Sequence, residues 1–342
     1  MSTYEEAGVN IDLGDKCSAI AYAAAKGTFP GRKGMIGEPL LDDGGFTGAL
    51  DMGDYYLVQN DDGVGTKIEI AEKTGKFDTL GYDLLAMVVD DAACIGAETI
   101  GITNTIDANK LDEVTVASMM EGLKKACLEQ KVVIPGGEIA EMGRLVNGYT
   151  WNASAVGIVE KHKVITGEKI KVGDKIIGFH SPGFRSNGFS LVRHILINKF
   201  GENWPAEKFD ETRTWGEVTL TPSKIYSSAI LEMHGRYKEQ PKVELKGVAH
   251  ITGGGIPGNL PRILKRTGLG AKLTNLPAPN PEMQKLIEIG NVSRDEAYQT
   301  WNMGVGMIIV CNEVDKVEEV CKKYGITMWV IGEVTGDGEV TF

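Results

Sequence analysis

The sequence predicts an α/β (α+β) protein of two domains. Strand-like and helix-like stretches alternate along the whole chain, and 342 residues exceed what one ordinary core holds. A fresh strand pattern, "KIKVGDKIIGFH", begins near residue 170, which places the domains at 1–170 and 171–342.

A short helical pattern covers Ala19 to Lys26. The glycine-rich stretch "FPGRKGMIGEPLLDDGGFTGALD" has little periodicity and is expected to form a long ordered loop or lid. "YYLVQN" reads as a strand. Over 79–96, Leu80, Leu84, Met87, Val88 and Ile95 recur at helical spacing. "TIGITNT" is a strand, and Asp112 to Gln130 a helix with Asp112 as its N-cap. "KVVIPGGE" reads as a strand ending in glycines, and "YTWNASAVGIVE" as a long alternating strand. In the second half, helices are expected over 188–199, 222–237, 281–289 and 313–324, with strands over 246–251, 271–275, 304–311 and 327–334. There is no short-period repeat.

The net charge of −11 argues against nucleic acid as a partner, because phosphate backbones need basic faces. A small phosphorylated ligand stays open, since backbone amides and a metal act locally. The five cysteines are scattered, without a C-x-x-C pair, and are expected to be buried or partly buried thiols in a reducing compartment. "MSTYEEAGVN" lacks the basic-then-apolar order of a signal peptide, and no apolar run would span a bilayer. A soluble, cytoplasmic protein without membrane contact is expected.

Five stretches carry candidate chemistry. "NDDGVGTKIEI" sets Asp61 and Asp62 beside Gly63, Gly65, Thr66 and Lys67. It is not a P-loop. Its mixed signs make sense if aspartates hold Mg²⁺ while the metal, lysine and glycine amides hold phosphate; a β-turn or hairpin explains the same residues. In "LGYDLLAMVVDDAACIGAE", Asp83 and Asp90 lie about 20° apart on a helix, with Asp91 about 100° further round. Asp83 fits a solvated face. The Asp90–Asp91 pair, flanked by apolar residues, is harder to explain that way. In "PGGEIAEMG", Gly136 and Gly137 allow close backbone approach, and Glu138 can bind or orient a metal; a plain strand-end turn is the alternative. "HSPGFRSNGFSLVRHIL" places Ser186, Asn187 and Gly188 before a helix that Ser or Asn can cap, and whose N-terminus attracts anions near Arg185 and Arg193. "AHITGGGIPGNLPRIL" repeats that logic with Thr252, Gly253 and Gly254 before a helix bearing Arg262; His250 there reads as a packed strand-end histidine. No nucleophile-and-base pair stands out. Acid-and-glycine machinery of this kind points to Mg²⁺-nucleotide and phosphoryl transfer.

The motifs "YEEAGVNID", "GGF", "DGVGTK", "DLLAMVVDDAACIGAE", "KLD", "GGEIAEM", "VGIVEK", "SNGFSLVR", "LTPSKIY", "AHITGGG" and "NMGVGMIIV" occur in this order. Together, from Tyr4 to about Gly332, they resemble the phosphoribosylformylglycinamidine cyclo-ligase family, also called aminoimidazole ribonucleotide synthetase. The resemblance implies an N-terminal α/β domain whose sheet pairs across a homodimer and a C-terminal α/β domain. It also implies the ATP-binding superfamily of selenophosphate synthetase and thiamine-phosphate kinase. The implied reaction is ATP-dependent ring closure of formylglycinamidine ribonucleotide to aminoimidazole ribonucleotide, with ADP and phosphate released.

The implied roles fall on matching positions. Asp62, Asp91 and Glu138 hold Mg²⁺, with Asp61, Gly63, Gly65, Thr66, Lys67, Asp90, Gly136 and Gly137 around the ATP. Ser186, Asn187, Gly188, Thr252, Gly253 and Gly254 hold the substrate's ribose phosphate, and Lys67, Asp91, Arg185 and His250 stand at the reacting groups.

The chain departs from the family at Arg185, where relatives carry His, at Asp90, where they carry Asn, and at Asn104, where they often carry Asp. The charge gained at 90 and lost at 104 would compensate if the two met. The N-terminal glycine-rich loop is also longer, and from it Arg32 and Lys33 could reach the nucleotide. Two other readings stay open: a different ATP-dependent enzyme of the superfamily, or a non-catalytic nucleotide-binding homologue.

Overall fold

The computed structural model describes residues 3–4, 6–8, 10–40 and 45–342. The first half builds a six-stranded sheet from β1 (Glu38–Pro39), β2 (Gly48–Asp51), β3 (Tyr55–Gly63), β4 (Glu98–Ala108), β5 (Val133–Glu141) and β6 (Tyr149–Glu160), in the order β1-β2-β3-β6-β4-β5. Its neighbours are antiparallel except β4 and β5. The second half builds another from β7 (Lys175–His180), β8 (Gly247–His250), β9 (Gly270–Leu273), β10 (Val305–Val310), β11 (Met328–Thr335) and β12 (Val340–Thr341), in the order β12-β9-β11-β7-β10-β8.

The helices are α1 (Ile11–Lys26), α2 (Ile68–Thr74), α3 (Leu80–Cys94), α4 (Glu113–Gln130), α5 (Phe189–Phe200), α6 (Trp215–Thr219), α7 (Ser227–His234), α8 (Gly255–Leu264), α9 (Pro281–Gly290), α10 (Arg294–Thr300) and α11 (Val314–Lys323).

Local signals placed most elements. Asp112 caps α4 by accepting from Thr115 N at 2.8 Å. Helix α1 starts earlier than its apolar spacing indicated, because Asn10 Oδ1 caps it through Leu13 N at 2.8 Å. The expected glycine-rich loop instead holds a 3₁₀ turn, Phe29–Arg32, and the strands β1 and β2 at one edge of the first sheet; its residues 41–44 lie outside the described ones.

Two strands outrun their local signal. Strand β3 continues through Asp61 and Asp62 to Gly63, because each keeps a partner on β6, so this segment is neither a turn nor a hairpin. Strand β5 does not end at its glycines but runs on to Glu141 beside β4. A Cβ on Gly137 would sit 2.6 Å from Asn104 O, so glycine there serves strand pairing. Residues 222–226 are irregular rather than helical, since the amides of Ser223 and Tyr226 bond to Asp83 and Asp90. Of the cysteines, Cys17 is exposed, contrary to expectation, and the other four are buried. No helix among the described residues is long and apolar enough to cross a membrane.

Helix α3 is the centre of the molecule. It is apolar nearly all round and packs on α4 and the first sheet on one side, and on α7 and β8 of the second half on the other. Gly81 makes the α3–α4 crossing close, because a Cβ there would overlap Leu123 N, and Gly122 sits as tightly on Asp78 O. Gly81→Ala or Gly122→Ala should each lower stability by about 1–3 kcal/mol through overpacking. Gly14→Ala, in open space on α1, should not. Urea midpoints of the three variants check this.

His234, at the end of α7, is buried, which together with Lys163 pushes its pKa down to about 4. Between about 4 and the ordinary 6.5 the unfolded chain therefore binds more protons at this site than the folded one. Its contribution to stability is complete above pH 6.5 and is lost as the pH falls toward 4. His234→Gln should flatten the acid-side slope of stability in that window, measured by urea unfolding at stepped pH.

Candidate active site

Strand β3 and helix α3 place the acids. Asp62 lies on the face of the first sheet that meets α3, where Asn60 Nδ2 donates to Val88 O at 3.0 Å. Gly63 N–H donates to Asp62 Oδ1 at 2.7 Å. Burial, with the nearby Asp91 and Asp61 charges, pushes the Asp62 carboxyl up to about 6. Burial pushes Asp91 to about 7, against the pull of Arg262 and Arg185. Two carboxylates that repel one another suit a divalent ion whose other ligands are water and phosphate oxygens. No group of three or more His, Cys, Asp or Glu assembles for a metal among the described residues.

Lys67 and Asp83 are both fully buried and pair at 2.8 Å. Lys67 Nζ also donates to Thr221 O at 2.7 Å, and Asp83 Oδ1 accepts from Ser223 N at 3.0 Å and Ser223 Oγ at 2.5 Å. Burial pushes Lys67 down and Asp83 up, and their attraction opposes both shifts. Asp83 is thus not on a solvated face. The Lys67 ammonium is engaged inside the protein, beneath the loop of Gly63, Gly65 and Thr66.

Asp90 is equally enclosed. Its Oδ1 accepts from Tyr226 N at 2.9 Å and Ser227 N at 2.8 Å, and its Oδ2 from Arg185 Nη2 at 2.8 Å. Arg185, at φ +58°, also donates to Lys224 O at 2.6 Å and stacks over Tyr226. Its Nη2 lies 2.7 Å from His250 Nε2, and His250 Nδ1 lies 2.7 Å from Asp91 Oδ1. Burial and Arg185 hold the His250 pKa at about 3, so the ring is neutral near pH 7. The Asp90 charge is therefore met by Arg185. Asn104 takes no part: its Oδ1 accepts from Trp151 Nε1 at 3.0 Å.

The glycine loops converge beside these acids. A Cβ on Gly65 would sit 3.3 Å from Ser186 O, and one on Gly253 would sit 3.7 Å from Asn187 Nδ2. Neither Ser186 nor Asn187 caps α5. Its N-cap is Gly188 at φ +75°, and that of α8 is Gly254 at φ +86°, both without a side-chain acceptor. Ser186 Oγ and Asn187 Oδ1 are buried without a protein partner, beside Thr252 and Gly253 at the start of α8. Both helices thus begin without a side-chain cap, and at α8 the Gly255 amide donates to Thr252 O at 3.0 Å.

Several expected contributors lie elsewhere. In register, Asp62 aligns with Ala153, Asn104 and Gly137, whereas Glu138 aligns with Thr105 and Asn152. Glu138 is thus on the opposite face from Asp62 and three strands away, roughly 14 Å. Gly136 and Gly137 are exposed with it at the sheet edge. Asp61 accepts from Ser154 Oγ at 2.6 Å on that same outer face. Arg193 pairs with Glu69 at 2.6 Å. Arg32 turns back to Ile36 O, and Lys33 is exposed.

Sequence reasoning missed three participants. The "LTPSKIY" segment supplies the amides and carbonyls that hold Lys67, Asp83, Asp90 and Arg185. Tyr4 donates its amide to Glu296 at 2.7 Å, and its hydroxyl meets Gly188 N–H. Thr300, whose Oγ1 is buried without a partner, packs against Gly188. Only the two motifs containing Tyr4 and "LTPSKIY" were visible as such in the sequence.

Comparison with known proteins identifies the family and the fold. The family models described as "AIR synthase related protein", N-terminal and C-terminal domain, match residues 42–159 and 171–342. A phosphoribosylformylglycinamidine cyclo-ligase of Pyrococcus furiosus is 43% identical over 318 residues, covering 93% of this chain and 90% of the relative. One of Carboxydothermus hydrogenoformans is 40% identical over 345 residues, covering 97% and 96%. The crystal structure of thiamine-monophosphate kinase from Stenotrophomonas maltophilia shares the fold at a TM-score of 0.61 and 16% identity, over 88% of this chain and 90% of that one. With both domain models matched and relatives of this identity aligned over nearly its full length, the chain belongs to the AIR synthase related family, among the phosphoribosylformylglycinamidine cyclo-ligases.

Proposed function

We propose that this protein closes formylglycinamidine ribonucleotide to 5-aminoimidazole ribonucleotide at the expense of ATP, in the cytoplasm, as a step of purine biosynthesis. The observation that carries the reading is the meeting of the Gly65, Ser186–Gly188 and Thr252–Gly254 loops beside Asp62 and Asp91. The first half supplies the nucleotide side of the site, and the second half completes the substrate side. ATP phosphorylates the formamide oxygen, a substrate nitrogen attacks the activated carbon, and phosphate leaves as the ring closes. The atoms balance as substrate and ATP giving imidazole, ADP, phosphate and a proton.

No covalent protein intermediate is needed, so the residues work by holding and orienting. The first-turn amides of α5 and α8, with Ser186, Asn187, Thr252, Gly253 and Gly254, seat the ribose phosphate. The loop of Gly63, Gly65 and Thr66 lies along the nucleotide, and buried Lys67 fixes that loop from below. Asp62 and Asp91 would hold Mg²⁺, which when bound neutralises charge on the phosphates. Neutral His250 keeps Asp91 in place. Arg185 and Asp90 act behind it, out of reach of the substrate.

Glu138, with Gly136 and Gly137, reaches such a site only across an interface. The outer face of the first sheet leaves Leu57, Val156 and Ile158 half-exposed, and its edge exposes Ile100, Val133 and Ile139. An apolar face of this kind suits a second copy. The proposed homodimer buries it and brings Glu138 toward the partner's nucleotide.

The direct test incubates the protein with formylglycinamidine ribonucleotide, Mg²⁺ and ATP and follows both products. Equal formation of ADP and aminoimidazole ribonucleotide is expected. ADP alone points to another substrate of the superfamily, and ATP binding without turnover to a non-catalytic homologue. Asp91→Asn should lower turnover by about 10²-fold or more while the melting temperature stays close to that of the parent. Sedimentation should give twice the chain mass of 36.9 kDa, and Ile158→Glu should convert it to one.

A further inference from the structure

We propose that Arg185, held by Asp90, is a positioning residue that fixes the proton of His250 on Nδ1 and thereby aims Asp91 at the nucleotide. The inference rests on the reading of Asp91 given above and adds how that carboxylate is oriented. It follows from donor and acceptor identities. A guanidinium has five N–H donors and no acceptor. Arg185 Nη2 has two hydrogens. One goes to Asp90 Oδ2 at 2.8 Å and the other faces His250 Nε2 at 2.7 Å. Nε2 must then accept and carries no hydrogen, so the ring holds one proton, on Nδ1. From there it is donated to Asp91 Oδ1 at 2.7 Å. The opposite tautomer would set N–H against N–H at Arg185 and a bare nitrogen against a carboxylate at Asp91.

The arrangement joins three separate elements. Arg185 precedes the Ser186–Gly188 loop, His250 ends β8, and Asp90 and Asp91 are successive residues of α3. Adjacent carboxylates thus have different tasks. Asp90 spends both oxygens on Arg185 and on the amides of Tyr226 and Ser227, whereas Asp91 receives the ring proton that Arg185 directs. Arg185 and Asp90 are also a matched pair. Both are fully buried, so either alone would leave an uncompensated charge in the core. Outer-shell partners that orient a metal-ligating carboxylate typically matter by about 10–100-fold in affinity or activity, and His250, set by Arg185, is such a partner of Asp91.

Single substitutions of this pair risk misfolding, so the decisive variant is Asp90→Asn with Arg185→Met. It removes both charges together and keeps an amide oxygen for Tyr226 N and Ser227 N. Ring ¹⁵N shifts of His250, assigned with His250→Gln, should show a protonated Nδ1 and bare Nε2 in the parent, and a mixture of tautomers in the double variant. Binding of Mg²⁺-ADP, measured by calorimetry, should weaken about 10-fold or more while the melting temperature stays near that of the parent. Arg185→Lys, which keeps a donor-only cation beside Asp90, should retain the Nδ1 proton. An unchanged tautomer and unchanged Mg²⁺-ADP affinity in the folded double variant would reduce the pair to a structural ion pair and overturn the proposal. These readouts need no turnover, so a parent protein that fails to form the imidazole would sink the proposed reaction without touching this result.

Discussion

The buried charges of helix α3 are the constraint on which the rest of the structure depends. Asp83 and Asp90 lie in a core between two sheets, where an unpaired carboxylate is strongly unfavourable. Each is satisfied by a cation and by amides of the segment running from Thr221 to Ser227. That segment stays irregular to meet them, and α7 begins at Ser227, whose own amide still bonds Asp90. Because it belongs to the second half and α3 to the first, satisfying these charges also sets how the two halves meet. The convergence of the glycine loops follows from that placement.

The four acids near the site divide by what surrounds them. Asp83 and Asp90 are saturated, and their partners draw them into the scaffold. Asp62 and Asp91 lack such saturation, and burial pushes both toward neutrality, with the Asp91 charge adding to the shift of Asp62. The scaffold pairs are stable without a ligand, whereas Asp62 and Asp91 gain most from an added cation. Saturated and unsaturated acids thus stand side by side on one helix, at the adjacent residues 90 and 91.

The same reasoning accounts for Arg185 and Asp90. Arginine at 185 and aspartate at 90 are far apart in the sequence and give no sign there of being coupled, and the aspartate reads as an awkward extra charge beside a metal. In the fold they are one interaction at 2.8 Å. The arginine is fully buried, and its second Nη2 hydrogen faces His250. Asn104, which seemed the natural counterweight to Asp90, sits across the sheet holding Trp151.

The sequence by itself determined the order of strands and helices and their caps where the signal is local: Asp112 for α4, the apolar period of α3, the alternation of β6. It also determined the family, through motifs whose residue types carry phosphate and metal chemistry. Tertiary structure decided what the neighbours of a residue are. Whether Asp83 is solvated or buried depends on Ser223, 140 positions away. Whether β3 and β5 stop at their glycines depends on β6 and β4, and whether Glu138 can join Asp62 depends on sheet register. Burial and pairing are set by contacts far apart in the chain, and local patterns of residue type do not contain them.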